Sequence, residues 1–482
     1  MKYTTPGQHR SVAEFREHLL SIDARLDCAT SVDADGALRR PCRVFGMNVG
    51  NRFAVQPMEG WDGETSGLPS PDTLRRWRRF GRSGAKLVWG GEAFAVQEDG
   101  RANPNQLYLN PAVEVRAGLS RLRESLLEGH REQGESTDDL CIGLQLTHSG
   151  RFARPMGAPA PRTAFFHPVL ARKLGASPPP LTDAELEGIG ESFVRAARLA
   201  RELGYHFVDV KCCHGYLLHE LLGAKTREGP YGGTLENRTR LLGRIVRAIQ
   251  NDCPGLGVGV RVSLLDTYPY FMNAQTREGE PRDFEAHLPY RFGFGMREDD
   301  PRQPDFDEPR RLLARLLELG VHAVNVSLGS PYYTPHWIRP AAYPPSDGYQ
   351  PPEDPLAGVA RHLEAVRWAK REFPGLTIVG SGYSYLQEYV AQVAQHEVEE
   401  GHVDFVGLGR MMLAYPELPF DVLHGRPLQR ARFCRTFSDC TTAPRNGMVS
   451  GCYPLDPHYK NRPEFLKVRE VKSKAEALRR RS

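Results

Sequence analysis

The sequence has no long hydrophobic run and no excess of charge of either sign. No apolar segment approaches the roughly 20 residues that a helix needs to cross a bilayer, and the N-terminal segment MKYTTPGQHR is polar. The formal net charge is +4 over 482 residues, which is too small to indicate a nucleic-acid partner. We therefore expect a soluble, cytoplasmic globular protein that binds neither membranes nor nucleic acid.

The sequence also has few cysteines and no paired cysteine framework. There are nine, an odd number, and they are scattered along the chain, so we expect reduced thiols rather than disulfides. No G-x-G-x-x-G follows the first predicted strand. This absence disfavours an open doubly wound sheet that binds a dinucleotide.

Short apolar runs, many rich in β-branched residues, recur along the chain. Most are continuous rather than alternating, which is typical of strands covered on both faces. Helical patterns lie between them, and the clearest begins at a capping box of Thr182 and Glu185 and ends at Gly204. The alternation predicts a TIM (β/α)8 barrel, with an open doubly wound sheet as the alternative. The eight runs are RFAVQPM at 52, KLVWGG at 86, CIGLQL at 141, HFVDVK at 206, VGVRVSLL at 258, AVNVSLG at 323, LTIVGSG at 376 and VDFVGLGR at 403.

The predicted barrel occupies residues 1–420, with 1–48 as a lead-in, and residues 421–482 form a C-terminal extension. Two connections, 267–307 and 330–357, are much longer than ordinary barrel loops. We expect both to be inserted βα-loops that shape access to a site at the C-terminal strand ends, where barrels carry their functional groups.

Two glycine-rich strand ends indicate a phosphorylated ligand. VGSG at 379–382 and GLGR at 407–410 offer small residues and exposed backbone N–H groups at neighbouring strand ends, with Arg410 available to pair the charge. The segment VKCCHGYLLHELL at 210–222 places Lys211, His214 and Tyr216 at the mouth of the fourth run. A lysine at that position also suits a Schiff-base lyase, which remains an alternative function.

Several motifs, in this order, resemble the Old Yellow Enzyme family of flavin-dependent oxidoreductases. They are NRFAVQPM, QLTHSGR, CCHGYLLHELL followed by TREGPYGGTLENRTRLL, VRVS and GLGR. The resemblance implies an FMN-binding TIM barrel that uses NADH or NADPH to reduce activated C=C bonds of a small-molecule substrate. It is strongest to the barrels of 2,4-dienoyl-CoA reductase and trimethylamine dehydrogenase. The latter leaves open an oxidative reaction on an amine or alicyclic compound, and both a monomer and a homo-oligomer are compatible with the sequence.

The resemblance also implies roles for particular residues. Tyr216 would donate a proton to the substrate carbon, while His214 and Lys211 would hydrogen-bond the activating carbonyl or nitro oxygen. The family usually has histidine at the position of Lys211, and often threonine or cysteine, near the flavin carbonyl, at the position of Glu59. The residues implied to hold FMN are Pro57, Met58, Glu59, Ala93, Gln145, Arg261, Gly380, Gly382, Gly409 and Arg410.

The cysteines of the C-terminal extension depart from the family pattern. Relatives carry an iron–sulfur motif after the barrel, and here the eleven-residue gap between Cys440 and Cys452 is kept while Cys434 stands one position off. Phe433 and Thr436 occupy the other two ligand positions. Because a cluster normally needs four thiolates, we expect a relic of the motif without an iron–sulfur cluster or other metal, with structural or zinc-bound cysteines as the alternative.

Overall fold

A closed parallel β-barrel forms the centre of the computed structural model, which describes residues 3–175 and 178–480. Its sheet contains nine segments, which are β1 Phe53–Val55, β2 Leu87–Val88, β3 Ala93–Ala95, β4 Cys141–Thr147, β5 Phe207–Cys212, β6 Gly257–Leu265, β7 Ala323–Leu328, β8 Thr377–Gly380 and β9 Phe405–Leu408. Segments β2 and β3 are successive parts of one stave. Pairing of β1 with β9 and of β2 with β4 closes the eight staves, and this confirms the predicted TIM (β/α)8 barrel. Residues 1–2, 176–177 and 481–482 of the predicted barrel and extension lie outside the described residues.

The strands coincide with the eight apolar runs, and their burial explains why those runs are continuous. Every residue of β4, β5, β7 and β9 is buried, because one face of each strand packs inside the barrel and the other against helices. A hairpin of Cys42–Val44 and Met47–Val49 covers the N-terminal end. There the rings of Phe45 and Phe207 stack with centroids 4.2 Å apart.

The helices surround the barrel, and the best-predicted one begins and ends as expected. Thr182 Oγ1 accepts from the Glu185 backbone N–H, and the Glu185 carboxylate accepts from the Thr182 N–H at 2.8 Å. Gly204 adopts a positive φ of 77° after this helix, which favours glycine there. No helix in the described ranges is both long and apolar enough to span a bilayer. The α-helices are Val12–Ser21, Pro71–Gly81, Val115–Glu132, Pro168–Leu174, Asp183–Glu202, Leu217–Leu222, Leu235–Arg238, Arg240–Asp252, Asp307–Glu318, Pro335–Ile338, Pro355–Glu372, Val390–Glu399, Arg410–Ala414, Leu418–Leu423, Asp439–Arg445, Pro457–Lys460 and Glu464–Arg480.

The two long connections and the C-terminal extension meet over the C-terminal ends of the strands. The first connection contains a hairpin of Tyr270–Met272 and Gly279–Pro281. The second is held by the extension: Ser438 Oγ donates to the Tyr343 carbonyl at 2.6 Å, and Arg445 Nη1 pairs with Asp347 at 2.7 Å. The extension therefore covers the mouth of its own barrel, a position that the sequence alone did not predict.

Candidate active site

A cavity of about 260 Å³, here called the inner cavity, lies at the C-terminal ends of the barrel strands. Its lining comes from the segment after β1, from the end of β5, from Arg261 within β6, from the turns after β8 and β9, from the second long connection and from the extension. Most of the residues proposed from the sequence are brought together here. They are Pro57, Met58, Glu59, Lys211, His214, Tyr216, Arg261, Gly382, Gly409 and Arg410.

Three of the proposed residues lie in the barrel wall instead. Within the described ranges, Ala93, Gln145 and Gly380 are not part of the inner-cavity lining. Gln145 Nε2 donates to Asp209 Oδ2 at 2.5 Å, and the Gly380 carbonyl accepts from Gln56 Nε2 at 2.9 Å. The Gln145 amide and the Gly380 carbonyl therefore bond to other side chains of the barrel.

Lys211 is at the mouth of β5, as the strand period predicts. Its Nζ lies 4.0 Å from the centroid of the Tyr216 ring, a distance at which the ammonium is attracted to the ring face. Burial lowers the pKa of Lys211, and the charge of Arg261 lowers it further. No carboxylate in the described part of the chain forms an ion pair with it, and Glu92, which follows β2, pairs with Arg76 at 2.6 Å.

His214 is held in an uncommon backbone conformation, with φ at 68°. Its N–H donates to Ser263 Oγ at 3.1 Å, and its carbonyl accepts from Ser330 Oγ at 2.8 Å. The ring Nε2 lies 3.0 Å from Ser327 Oγ. Burial, followed by neighbouring cations, lowers the pKa of His214 well below its ordinary value, so the imidazole is neutral at neutral pH. Three serines thus fix a left-handed residue at the cavity wall.

The Tyr216 hydroxyl contacts a carboxylate and a second phenol of the inner cavity. It donates to Glu59 Oε2 and lies 2.9 Å from the Tyr332 hydroxyl. Glu59 also accepts from Trp61 Nε1 at 3.1 Å. Burial raises the pKa of Tyr216 well above its usual range, and the Glu59 charge raises it further. The resemblance implied that the residue at position 59 lies near the flavin carbonyl. Here the Glu59 carboxylate contacts Tyr216 and Trp61.

Arg261 presents an unsatisfied buried donor. Its backbone N–H donates to Asp209 Oδ1 at 2.7 Å, and its Nη2 donates to Ser381 Oγ at 3.4 Å. Burial raises the pKa of Asp209 to about 6 and lowers that of Arg261. The Arg261 Nε is buried and has no hydrogen-bond partner among the described residues. Since buried polar groups are normally paired, this atom suits the acceptor of a bound ligand.

The turns after β8 and β9 form a cradle next to a free cation. A Cβ at Gly407 would lie 1.9 Å from Gln56 Nε2, whereas at Gly409 the nearest atom would be 3.7 Å away. Arg410 Nη2 donates to the Pro340 carbonyl at 2.8 Å, and no carboxylate in residues 3–175 and 178–480 pairs with Arg410. The partly exposed glycine backbone at Gly382 and Gly409, beside an unpaired guanidinium, fits a phosphate. With the Arg261 donor, the residues present fit a planar heterocycle that carries a phosphate tail, as FMN does.

Several residues of the inner cavity escaped the sequence analysis. Trp61 lies on a loop, and Arg339, whose Nη1 donates to Thr441 Oγ1 at 2.8 Å, connects a loop to the extension. The rule that selects strand ends cannot find such positions. Arg445 also lies in the cavity wall, and no motif of the sequence marks it.

The three cysteines of the extension lie near one another beside this cavity. Cys440 is part of the inner-cavity lining. Burial, followed by the nearby thiols of Cys434 and Cys440, raises the pKa of Cys452 well above its ordinary value. Among the described residues, the group whose potential metal-ligand atoms lie within 4.8 Å of one another is His396, Glu397 and His402. This group lies around the end of helix Val390–Glu399 and includes none of the three cysteines.

The sequence profile of the NADH:flavin oxidoreductase / NADH oxidase family matches residues 37–275. The chain belongs to this family. The NADPH dehydrogenase of Geobacillus sp. (strain WCH70) is 28% identical over 389 residues, which cover 79% of this chain and 92% of that protein. The NADPH dehydrogenase of Bacillus subtilis (strain 168) is 30% identical over 232 residues, which cover 47% of this chain and 63% of that protein.

Solved structures of lower identity share the fold of this NADH:flavin oxidoreductase family member. Morphinone reductase superposes with a TM-score of 0.52 and 22% identity, covering 83% of this chain and 92% of that enzyme. A complex of 2-naphthoyl-CoA reductase superposes with a TM-score of 0.66 and 18% identity, covering 88% of this chain but 57% of that one. Family membership confirms the predicted class, an NAD(P)H:flavin oxidoreductase with FMN as its cofactor.

Proposed function

We propose that this enzyme uses NADH or NADPH to reduce C=C bonds that are activated by a conjugated carbonyl or nitro group. The observation that carries the proposal is the meeting of Lys211, His214, Tyr216 and Arg261 around one cavity at the strand ends. The similarity to NADPH dehydrogenases supports a nicotinamide coenzyme as the source of hydride.

The chain offers residues for the ring and for the phosphate of FMN. Pro57 and Met58 would pack against the isoalloxazine, and the unsatisfied Arg261 Nε would donate to it. Gly382, Gly409 and Arg410 would hold the phosphate. Ala93, Gln145 and Gly380 would act from the barrel wall, and Gln145 would act through Asp209, which binds the backbone of Arg261. The chemistry that FMN supplies when bound is hydride transfer from NAD(P)H to the alkene.

Lys211 and His214 would bind the activating oxygen of the substrate. Hydride addition at the β-carbon builds negative charge on that oxygen, and preorganised donors lower the barrier to this step. A buried ammonium provides a full positive charge, while the neutral imidazole of His214 provides a hydrogen-bond donor without adding a second charge. The low pKa of His214 supports this division of roles, because two adjacent cations would repel each other.

Tyr216 would supply the proton that completes the reduction. Its raised pKa keeps the phenol protonated at neutral pH, so the O–H is available to the α-carbon once hydride has reached the β-carbon. The Tyr332 hydroxyl lies 2.9 Å away and would return a proton to Tyr216 after each turnover. Trp61 and Tyr332 enclose this end of the cavity and would limit access of water.

Two anaerobic half-reactions test the proposal. NADPH is expected to bleach the flavin absorption of the purified protein, and benzylideneacetone, an α,β-unsaturated ketone, is expected to restore it with formation of one saturated ketone per flavin. If no enone and no nitroalkene restores the absorption, the proposed function is contradicted. Bleaching by an amine without any nicotinamide coenzyme would favour the oxidative alternative instead.

A further inference from the structure

A second cavity of about 370 Å³, here called the outer cavity, adjoins the inner one. Trp61, Tyr332 and Arg339 line both. The Tyr332 hydroxyl, at the boundary, lies 2.9 Å from the Tyr216 hydroxyl of the inner cavity. Because the Tyr332 side chain lines both cavities, a ligand held at Tyr216 lies next to the outer cavity.

Aromatic side chains from the two long connections form much of the outer wall. Tyr270 and Phe271 come from the first connection, and Tyr349 comes from the second. The rings of Phe152 and Tyr332 stack with centroids 3.9 Å apart. Such walls favour a planar, apolar ligand body, because aromatic faces offer large contact area in an offset stack.

The outer cavity carries an excess of positive charge. Four cations line it, and among its lining residues the one carboxylate, Asp347, is paired with Arg445 at 2.7 Å. Arg154, Lys173 and Arg339 form no ion pair with any carboxylate in the described ranges. Three uncompensated cations around one cavity attract an anion, and their field is focused by the apolar walls.

The environments of Lys173 and Arg339 support an anionic occupant. Lys173 Nζ donates to the Tyr270 carbonyl at 2.9 Å, and burial, followed by the charge of Arg445, lowers the pKa of Lys173 to about 8. Burial, followed by the same charge, lowers the pKa of Arg339 to about 10. The Arg339 Nε is buried and without a partner among the described residues. A bound carboxylate would offset these costs of burying charge.

We propose that the outer cavity is a subsite for the anionic end of the alkene substrate. The substrate class is a carboxylate joined, through a planar apolar body such as a phenyl ring, to the activated C=C bond held in the inner cavity. This assignment rests on the proposed function. The diphosphate of the nicotinamide coenzyme is a second source of the same anionic chemistry, and the tests below separate the two.

Binding of ligands that cannot be reduced tests the subsite directly. Both 4-acetylbenzoate and its neutral isostere 4-acetylbenzamide carry a ketone but no alkene, and each can be titrated by its effect on the flavin spectrum or by calorimetry. We expect the acid to bind about tenfold or more tightly than the amide, since a charge-assisted hydrogen bond contributes about that factor. Lys173→Gln is expected to reduce the affinity ratio about tenfold, and Lys173→Arg, which keeps the charge, is expected to retain it.

Turnover of matched alkenes completes the test. Benzylideneacetone with a para-carboxylate is expected to show a higher kcat/KM than the para-carboxamide, mainly through KM, and Lys173→Gln is expected to remove the preference. Equal affinities and equal kcat/KM values for acid and amide in the wild type would overturn the subsite while leaving the proposed function intact. A rise in the Kd of NADPH in Lys173→Gln, with the acid preference unchanged, would overturn it in favour of the coenzyme. Flavin that is reoxidised by neither alkene would overturn the proposed function, and with it the substrate assignment.

Discussion

The Tyr216 hydroxyl donates a hydrogen bond to the carboxylate of Glu59. Glu59 stands at a position where the family resemblance implied a small polar residue near the flavin carbonyl, and here it contacts the proposed proton donor instead. The charge of Glu59 adds to burial in raising the pKa of Tyr216. Because a phenol with a high pKa stays protonated, this pair keeps the donor ready across the physiological pH range.

Replacement of Tyr216 by phenylalanine should separate the two half-reactions. We expect Tyr216→Phe to slow alkene-dependent reoxidation of the flavin by about 10²- to 10⁴-fold, the usual contribution of a positioned general acid. Reduction of the flavin by NADPH should change little, because that step needs no proton from Tyr216. Stopped-flow absorption of the flavin under anaerobic conditions measures both rates.

Tyr332→Phe is the matched control for that variant. It removes the hydroxyl that lies 2.9 Å from Tyr216 but leaves the donor itself, so it should slow alkene reduction much less. Equal losses of both half-reactions in Tyr216→Phe would contradict the assignment of Tyr216 as proton donor.

Glu59→Gln should move the alkaline limb of the pH profile for alkene reduction to lower pH. The Glu59 carboxylate raises the pKa of Tyr216, and it also opposes the burial that lowers the pKa of Lys211. Loss of its charge therefore lowers both pKa values, so both groups lose their protons at a lower pH. The position of the limb is obtained from the rate of alkene-dependent reoxidation, measured between pH 6 and pH 10.

Trp61→Phe provides the control, because it removes the other hydrogen bond to Glu59 and keeps the carboxylate charge. Its alkaline limb should match that of the wild type. A limb in Glu59→Gln that stays in place, or moves to higher pH, would show that the Glu59 charge acts on neither Tyr216 nor Lys211.

Lys211→Met should reduce the rate of alkene reduction by about 10²-fold, the typical effect of removing one donor to a developing oxyanion. Because the pKa of Lys211 is lowered, the ammonium is lost as pH rises through a value below the ordinary one for lysine. The wild-type rate should therefore fall at high pH, and this fall should be absent in Lys211→Met. Steady-state rates with benzylideneacetone over the same pH range measure both effects.

Borohydride trapping separates the reductase from the lyase alternative. If Lys211 acts as an electrostatic donor, borohydride treatment in the presence of a carbonyl substrate leaves the mass of the protein unchanged. A substrate-sized mass increase on Lys211 would instead indicate a Schiff base and contradict the donor role.

The strand ends could be predicted from the sequence because two strict rules locate them. Strand residues alternate between faces, and a parallel barrel gathers the C-terminal ends of its strands at one edge. Those rules bring Lys211, His214 and Arg261 together although they lie on different strands or turns. The proposed cradle for the FMN phosphate follows from the same rules, since Gly382 and Gly409 come within two residues of the ends of neighbouring strands.

The contacts made by loop side chains could not be predicted in this way. The direction of the Glu59 carboxylate depends on Tyr216, a partner 157 residues away in the chain, and no local pattern encodes that pairing. The bond between the Gln145 amide on β4 and the Asp209 carboxylate on β5 likewise joins side chains 64 residues apart in the chain. Arg339 and Thr441 meet because the C-terminal extension folds over the mouth of the barrel, a tertiary arrangement without periodicity.

Arg410→Gln should weaken FMN binding by about 10- to 100-fold, since hydrogen bonds to a charged group typically contribute that much. The loss is expected in affinity rather than in folding, because the Arg410 guanidinium bonds to the Pro340 carbonyl and pairs with no carboxylate in the described ranges. Arg410→Lys keeps the charge but not the planar fork, so its affinity for FMN should lie between those of the wild type and Arg410→Gln. Quenching of FMN fluorescence, titrated with flavin-free protein, measures the Kd for each variant. If Arg410→Gln binds FMN as tightly as the wild type, the phosphate must be held elsewhere, and Arg339, which lines the same cavity, becomes the residue to replace.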